Sequence, residues 1–156
     1  MEESRAVEVG GKHLTFMLGN EVYGLEILKV REIIGMTAIT PLPQTPTFVK
    51  GVINLRGKLI AVIDLRTKFG LEEKEYTNET CMIIVDLGSK QLGLIVDSVR
   101  EVVDILKENI SKTPSFGVQI QVDFIKGLGK VGESVIIILD IDRVLTSEEL
   151  VAVGAL

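Results

Sequence analysis

The chain is poor in the residues that carry out most enzyme chemistry. It holds one histidine and one cysteine, no tryptophan, and only 4% aromatic residues. A lone thiol, Cys81, excludes an internal disulfide and a paired-thiol metal site, and suits a reducing compartment. With His13 the sole histidine, Ser89, Ser98 and Ser134 have no other base on which to build a nucleophilic triad. Long apolar runs are missing too. The longest cover a handful of residues, against the ~20 that span a bilayer, and the opening MEESRAVEVGGK lacks the pattern of a secretory signal. No direct membrane insertion is therefore expected, and cytoplasmic residence is the default. Positive charge is not in excess either. The formal charge of -5 disfavours a broad nucleic-acid footprint, so no nucleic-acid partner is expected.

What remains is a chain of 156 residues, 46% hydrophobic and 25% charged, enough for one ordinary domain or two very small ones. Short runs rich in Val, Ile and Leu alternate with turn chemistry at Gly19-Asn20, Gly57, Gly88-Ser89 and Gly132-Glu133. The intervals are too short for crossover helices, which favours an all-β chain of small barrels.

The sequence also repeats itself. Val22–Ile34 (VYGLEILKVREII) and Gln91–Val103 (QLGLIVDSVREVV) share a form, with Gly24 and Gly93 69 positions apart, as are Val30-Arg31-Glu32 and Val99-Arg100-Glu101. Phe48–Leu65 and Phe124–Ile141 form a second pair, in which Phe48, Gly51 and Asp64 precede Phe124, Gly127 and Asp140 by 76 positions. The order is A-B-A′-B′. A half of this size buries only about 60% of its extended surface and is marginal alone, so the halves are expected to share a core. The division is expected near Gly70–Thr80 (GLEEKEYTNET), with a stiff connection at Pro41–Phe48 and a looser one at Ser111–Gly117. Thr146, with Glu149 three residues on, predicts a capped C-terminal helix.

Candidate chemistry is weak. Gly127–Gly132 (GLGKVG) satisfies G-x-G-x-x-G, but a strand-like run follows where a dinucleotide site needs a helix, and a turn is the better reading. Asp64 and Asp140 occupy equivalent positions, the reverse of the separated environments that an acid and a base require; each is placed to cap a short helical turn. His13, in a glycine-polar entry segment, is expected at the surface, and Cys81 is expected to be a small buried side chain. No cofactor, metal site or catalytic residue is expected.

Arg56-Gly57 is the more informative feature. It interrupts two apolar runs in GVINLRGKLIAVIDLR, and the aligned turn of the second half carries Gly132-Glu133 instead, so turn construction does not demand the arginine. Glycine permits a positive backbone dihedral, while arginine projects five donors from a rigid head. Two readings stand side by side: a salt bridge at a barrel rim, or recognition of a partner. Val30, Glu32 and Ile33 nearby combine apolar area with charge, as an interface requires.

Taken together, GLEILKVREII, FVKGVINLRGKLIAVIDLRTKFG and the A-B-A′-B′ pattern resemble the CheW family of bacterial chemotaxis coupling proteins. The resemblance covers 12–146, with a first subdomain at 12–78, a second at 79–146 and a C-terminal helix or tail at 147–156. It implies an all-β fold of two intertwined SH3-like, five-stranded β-barrels with short helical turns. It also implies a non-enzymatic adaptor, coupling chemoreceptors to the histidine kinase CheA, supporting receptor arrays and regulating the kinase. The implied partners are the cytoplasmic signalling tip of chemoreceptors and the regulatory CheW-like domain of CheA. The implied location is the cytoplasm, at receptor arrays beneath the inner membrane. Carried onto this sequence, the receptor or coupling surface comprises Val30, Glu32, Gly51, Arg56 and Gly57, with Gly93 and Val102 from the second half. The kinase-facing surface is expected largely on the second barrel.

Overall fold

A computed structural model describes residues 10–112 and 124–152. The first nine residues, most of the Ser111–Gly117 connection and the tail beyond 152 lie outside it. Alternating apolar residues and positive-φ turns yield a hairpin, β1 (Gly11–Leu18) and β2 (Glu21–Glu26), and then a 3-10 turn at Ile27–Lys29. Next come β3 (Val30–Gly35), a second hairpin, β4 (Val49–Leu55) and β5 (Lys58–Asp64), and a short helix α1 (Leu65–Lys68). The second half repeats the plan: β6 (Cys81–Leu87), β7 (Lys90–Val96), β8 (Ser98–Ile105), a two-residue β9 (Ile110–Ser111), β10 (Ile125–Val131) and β11 (Ser134–Leu139). A 3-10 turn at Ile141–Arg143 and helix α2 (Ser147–Ala152) follow.

The halves are interleaved. One sheet runs β8-β1-β2-β11-β10-β9 and the other β3-β6-β7-β5-β4. The first hairpin of each half has therefore left its own half and joined the other's remaining strands. The exchange is symmetric down to the parallel pairings, β2 with β11 and β5 with β7. Even the bulges match: the ladder slips between Val30 and Glu32 in one sheet, and between Leu14 and Phe16, on the strand paired to β8, in the other. The first sheet gains a sixth strand, β9, whose counterpart beside β4 is the single bridge Thr40 to Val52.

Period-two alternation in β6 and β7 divides the apolar residues between two cores, as expected for strands buried on both faces. Met82, Ile84 and Ile95 join Ile53, Ile60 and Val62 inside the curled five-stranded sheet. Ile83, Val85, Leu92, Leu94 and Val96 turn outward against Leu14, Phe16, Leu18 and Leu25 of the other sheet. This shared core is the largest, so the expected joint interior exists. Stacked rings run through it from Phe16 to Tyr23, Phe69 and Phe124, with centroid separations of 6.1, 5.8 and 4.6 Å.

Asp64 and Asp140 act as caps, accepting from the backbone N–H of Arg66 and Asp142 at 2.9 and 3.2 Å. At α2 the expected reciprocal cap forms: the Glu149 N–H donates to the Thr146 hydroxyl at 3.1 Å, and the Thr146 N–H to the Glu149 carboxylate at 2.8 Å. The Lys68 ammonium holds the same carboxylate at 2.7 Å, docking the C-terminal helix on α1.

Candidate docking face

The β4–β5 hairpin turns through two residues, Arg56 at φ +53° and Gly57 at φ +88°. Two consecutive positive φ values are the pattern of a type I′ turn, whose twist suits a hairpin and which normally takes Asn-Gly or Asp-Gly. Glycine meets this requirement freely; arginine in the left-handed region costs about 1–2 kcal/mol. The Asn54 side chain supports the turn by accepting from the Gly57 N–H at 2.7 Å. At the equivalent β10–β11 turn Gly132 alone has positive φ, so a strained arginine is not a requirement of the architecture.

The Arg56 guanidinium crosses to β3 and donates to the Glu32 carboxylate. These residues stand at opposite ends of the strand order, so the five-stranded sheet curls until its second hairpin meets its first edge. Arg56 is 69% exposed and Glu32 27%, which leaves most of the guanidinium open to solvent. By alternation Glu32 shares a face of β3 with Ile34, which packs on the apolar interior. The result is a charged pair set beside an apolar rim.

The remaining expected site residues divide. Val30, half-buried, packs against the core between the sheets. Gly51 is buried at a bulge with φ +139°, where a Cβ would stand 2.0 Å from the Thr40 carbonyl oxygen. Gly93 is buried in β7 against Val62 and Ile84. Neither glycine presents a surface; both shape the strands behind one. Val102 is 48% exposed but belongs to β8 of the other sheet. Its repeat counterpart, Ile33 on β3, is 43% exposed. Glu32, Arg56 and Gly57 are thus brought together with Val30 on the same strand as Glu32, whereas Val102 lies on the other sheet.

Sequence reasoning missed the buried ionic network behind this hairpin. Arg66 grips Asp64 through two bonds, at 3.0 and 2.9 Å, and reaches Asp97 at 3.0 Å and the Lys74 carbonyl at 3.1 Å. The other oxygen of Asp97 accepts from the Gly19 N–H at 2.8 Å. The carboxylate hydrogen bonds raise the Arg66 pKa above its ordinary value against the opposing effect of burial. An arginine two positions after an aspartate is the only sequence trace of this cluster. Also unforeseen is Leu28, 91% exposed on the 3-10 turn between β2 and β3.

The other candidates settle differently. His13 is a correction: it is 2% exposed, not at the surface, because β1 begins at Gly11 and turns this side chain inward, where Nδ1 donates to the Gly11 carbonyl at 2.9 Å. Gly127–Gly132 runs along β10 into a hairpin and a strand, with no helix to receive a phosphate. Cys81 is half-buried at the edge of the core rather than fully buried, and that burial pushes the thiol up, the opposite of an activated nucleophile. Among the described residues no group of three or more His, Cys, Asp or Glu is placed to hold a metal ion, and no helix is long and apolar enough to cross a membrane.

Comparison with known proteins agrees with this architecture. The family model of the CheW-like domain matches residues 12–149. The chemotaxis protein CheW of Klebsiella aerogenes is 42% identical over 145 residues, spanning 93% of this chain and 87% of that protein. The chemotaxis protein CheW of Treponema pallidum is 33% identical over 143 residues, spanning 88% and 83%. Among solved structures, the crystal structure of the scaffolding protein TtCheW from Thermoanaerobacter tengcongensis gives a TM-score of 0.82 at 36% identity, covering 90% of this chain and 96% of that one.

Proposed function

The chain belongs to the CheW family, and from that premise we propose that it couples the cytoplasmic signalling tips of chemoreceptors to the histidine kinase CheA. In this reading it is an adaptor with no reaction of its own. It holds both partners in register within a receptor array beneath the inner membrane, and receptor state alters kinase output by changing the relative stability of those contacts. Residues 12–78 and 79–146 are the two duplicated units, and each curled sheet serves as an SH3-like barrel.

The observation that carries the proposal is the Arg56–Glu32 pair on a strained turn. An arginine kept at φ +53°, where its repeat counterpart Gly132 meets the same region at φ +60° without a side chain to strain, favours a role outside folding. The receptor-facing surface comprises Val30, Glu32, Arg56 and Gly57, extended by Val102, with Gly51 and Gly93 shaping the strands beneath. The regulatory CheW-like domain of CheA docks elsewhere, largely on the sheet containing β8 to β11.

Reconstitution of this chain with a receptor signalling fragment and full CheA tests the reading, with binding and kinase activity measured together. Arg56→Glu places two carboxylates face to face and is expected to lower receptor binding at least tenfold while the chain stays folded. Wild-type receptor binding and kinase control by a folded Arg56→Glu variant would falsify the assignment.

A further inference from the structure

Among the described elements the chain passes between the sheets only twice, after β2 and after β7. Each passage is tied by an ion pair to the helical turn that follows a second hairpin. After β7, Asp97 meets Arg66 of α1 at 3.0 Å, and the arginine is 1% exposed. After β2, Lys29 meets Asp142 of the 3-10 turn following β11 at 2.9 Å, with the partners 35% and 53% exposed. The two ties have inverted polarity and unequal burial: the first has its arginine sealed and Asp97 24% exposed, and the second is open to water and salt. A second, partly buried tie lies immediately upstream, where Lys126 of β10, 11% exposed, holds Glu26, 30% exposed, at 2.9 Å. Together these bonds bracket the Ile27–Lys29 turn and fasten it to the six-stranded sheet.

Downstream of that turn β3 is held by one ladder and by two exposed side-chain pairs, Arg31–Asp86 at 3.1 Å and Glu32–Arg56. It is an edge strand, paired only with β6, and its ladder slips between Val30 and Glu32, which leaves Arg31 unmatched. The direction in which Val30 and Glu32 leave the crossing therefore depends on the turn upstream as well as on these pairs. We propose that Lys29–Asp142 and Glu26–Lys126 are positioning pairs that clamp the crossing and fix Val30 and Glu32 relative to Val102 on the other sheet. The inference rests on the reading of these residues as a docking face that spans both sheets. An exposed pair such as Lys29–Asp142 contributes roughly 0.2–1 kcal/mol, little beside the 5–15 kcal/mol that holds a domain together. Loosening the clamp should consequently disturb the face without unfolding the protein, because local openings cost far less than global ones.

The test uses Asp142→Asn and Lys126→Met, neither on β3, alongside Lys29→Met and the charge-conserving Lys29→Arg. Backbone amide exchange in the free chain is expected to quicken about two- to fivefold at Val30–Glu32 in the first three variants, and to stay unchanged in Lys29→Arg and throughout the middle of β6. Binding to a receptor signalling fragment is expected to fall severalfold in the same three, with the melting temperature nearly constant. Unchanged exchange at Val30–Glu32 in Asp142→Asn and Lys126→Met overturns the inference. So does loss of binding in Lys29→Met alone, which would make Lys29 a direct contact. Should the wild-type chain bind no receptor fragment, the adaptor reading fails, while the exchange measurement still decides whether the clamp exists.

Discussion

Arg56 is placed where a glycine or asparagine would be more comfortable, and that conflict is testable. Arg56→Asn supplies the preferred type I′ pair, Asn-Gly, and removes an exposed ion pair of small value. It should raise unfolding stability by about 1 kcal/mol in urea titrations while weakening receptor binding. A variant that loses both, or keeps both, contradicts the separation of folding from recognition at this position. Gly51 is the contrasting case. Its φ of +139° and the Thr40 carbonyl oxygen 2.0 Å from a would-be Cβ leave no room for a side chain. Gly51→Ala should cost about 3 kcal/mol, seen as a lowered urea midpoint, whereas alanine at Gly93 meets the Val62 and Ile84 methyl groups at 3.3 and 3.4 Å and the Ala61 carbonyl oxygen at 3.6 Å and should cost less. The sequence marked Gly51 as important but not why, because the crowding atom lies eleven residues upstream on a strand edge that only folding brings near.

At the scale of elements, short helical turns are held by side chains that local spacing reveals. Thr146→Ala removes half of the reciprocal cap and should destabilise α2 by about 1 kcal/mol, visible as faster amide exchange at Glu149 and Leu150. The connection after α1 is pinned by Glu73, whose carboxyl is held below the ordinary glutamate range by the Thr67 hydroxyl and then by Lys50, 3.0 Å away. The sign follows from linkage: a depressed native pKa contributes stability above the unfolded value and loses it as pH falls through the native one. Stability should therefore fall as the pH drops below about 4, and Glu73→Gln should flatten that part of the urea-midpoint profile. The Thr146 cap was legible because its partners are three residues apart. The Lys50–Glu73 pair was not, since its partners are 23 positions apart.

At the scale of the whole molecule, Arg66 ties the two sheets together through the bonds of its buried guanidinium. It binds Asp64 at the end of β5 and Asp97 at the passage from β7 to β8, and Asp97 in turn holds the β1–β2 turn through Gly19. Arg66→Met would leave Asp64, with none of its side chain exposed, as an unpaired buried charge. The expected cost is about 3–5 kcal/mol by chemical denaturation, partly recovered when Asp64→Asn is added. If the single substitution unfolds no more easily than wild type, the network is not what fastens the sheets.

The sequence alone determined the all-β class, the duplicated plan and the Arg56-Gly57 anomaly, because alternation, turn chemistry and register are local properties that a linear string carries. It also carried the family resemblance, through motifs long enough to be specific. Only the tertiary structure decided which strands exchange between halves, that His13 points inward, that Arg66 is sealed between two carboxylates, and that Arg56 reaches Glu32 across a curled sheet. Each of these depends on contacts between residues distant in the chain, and their geometry is set by how apolar strands share one core.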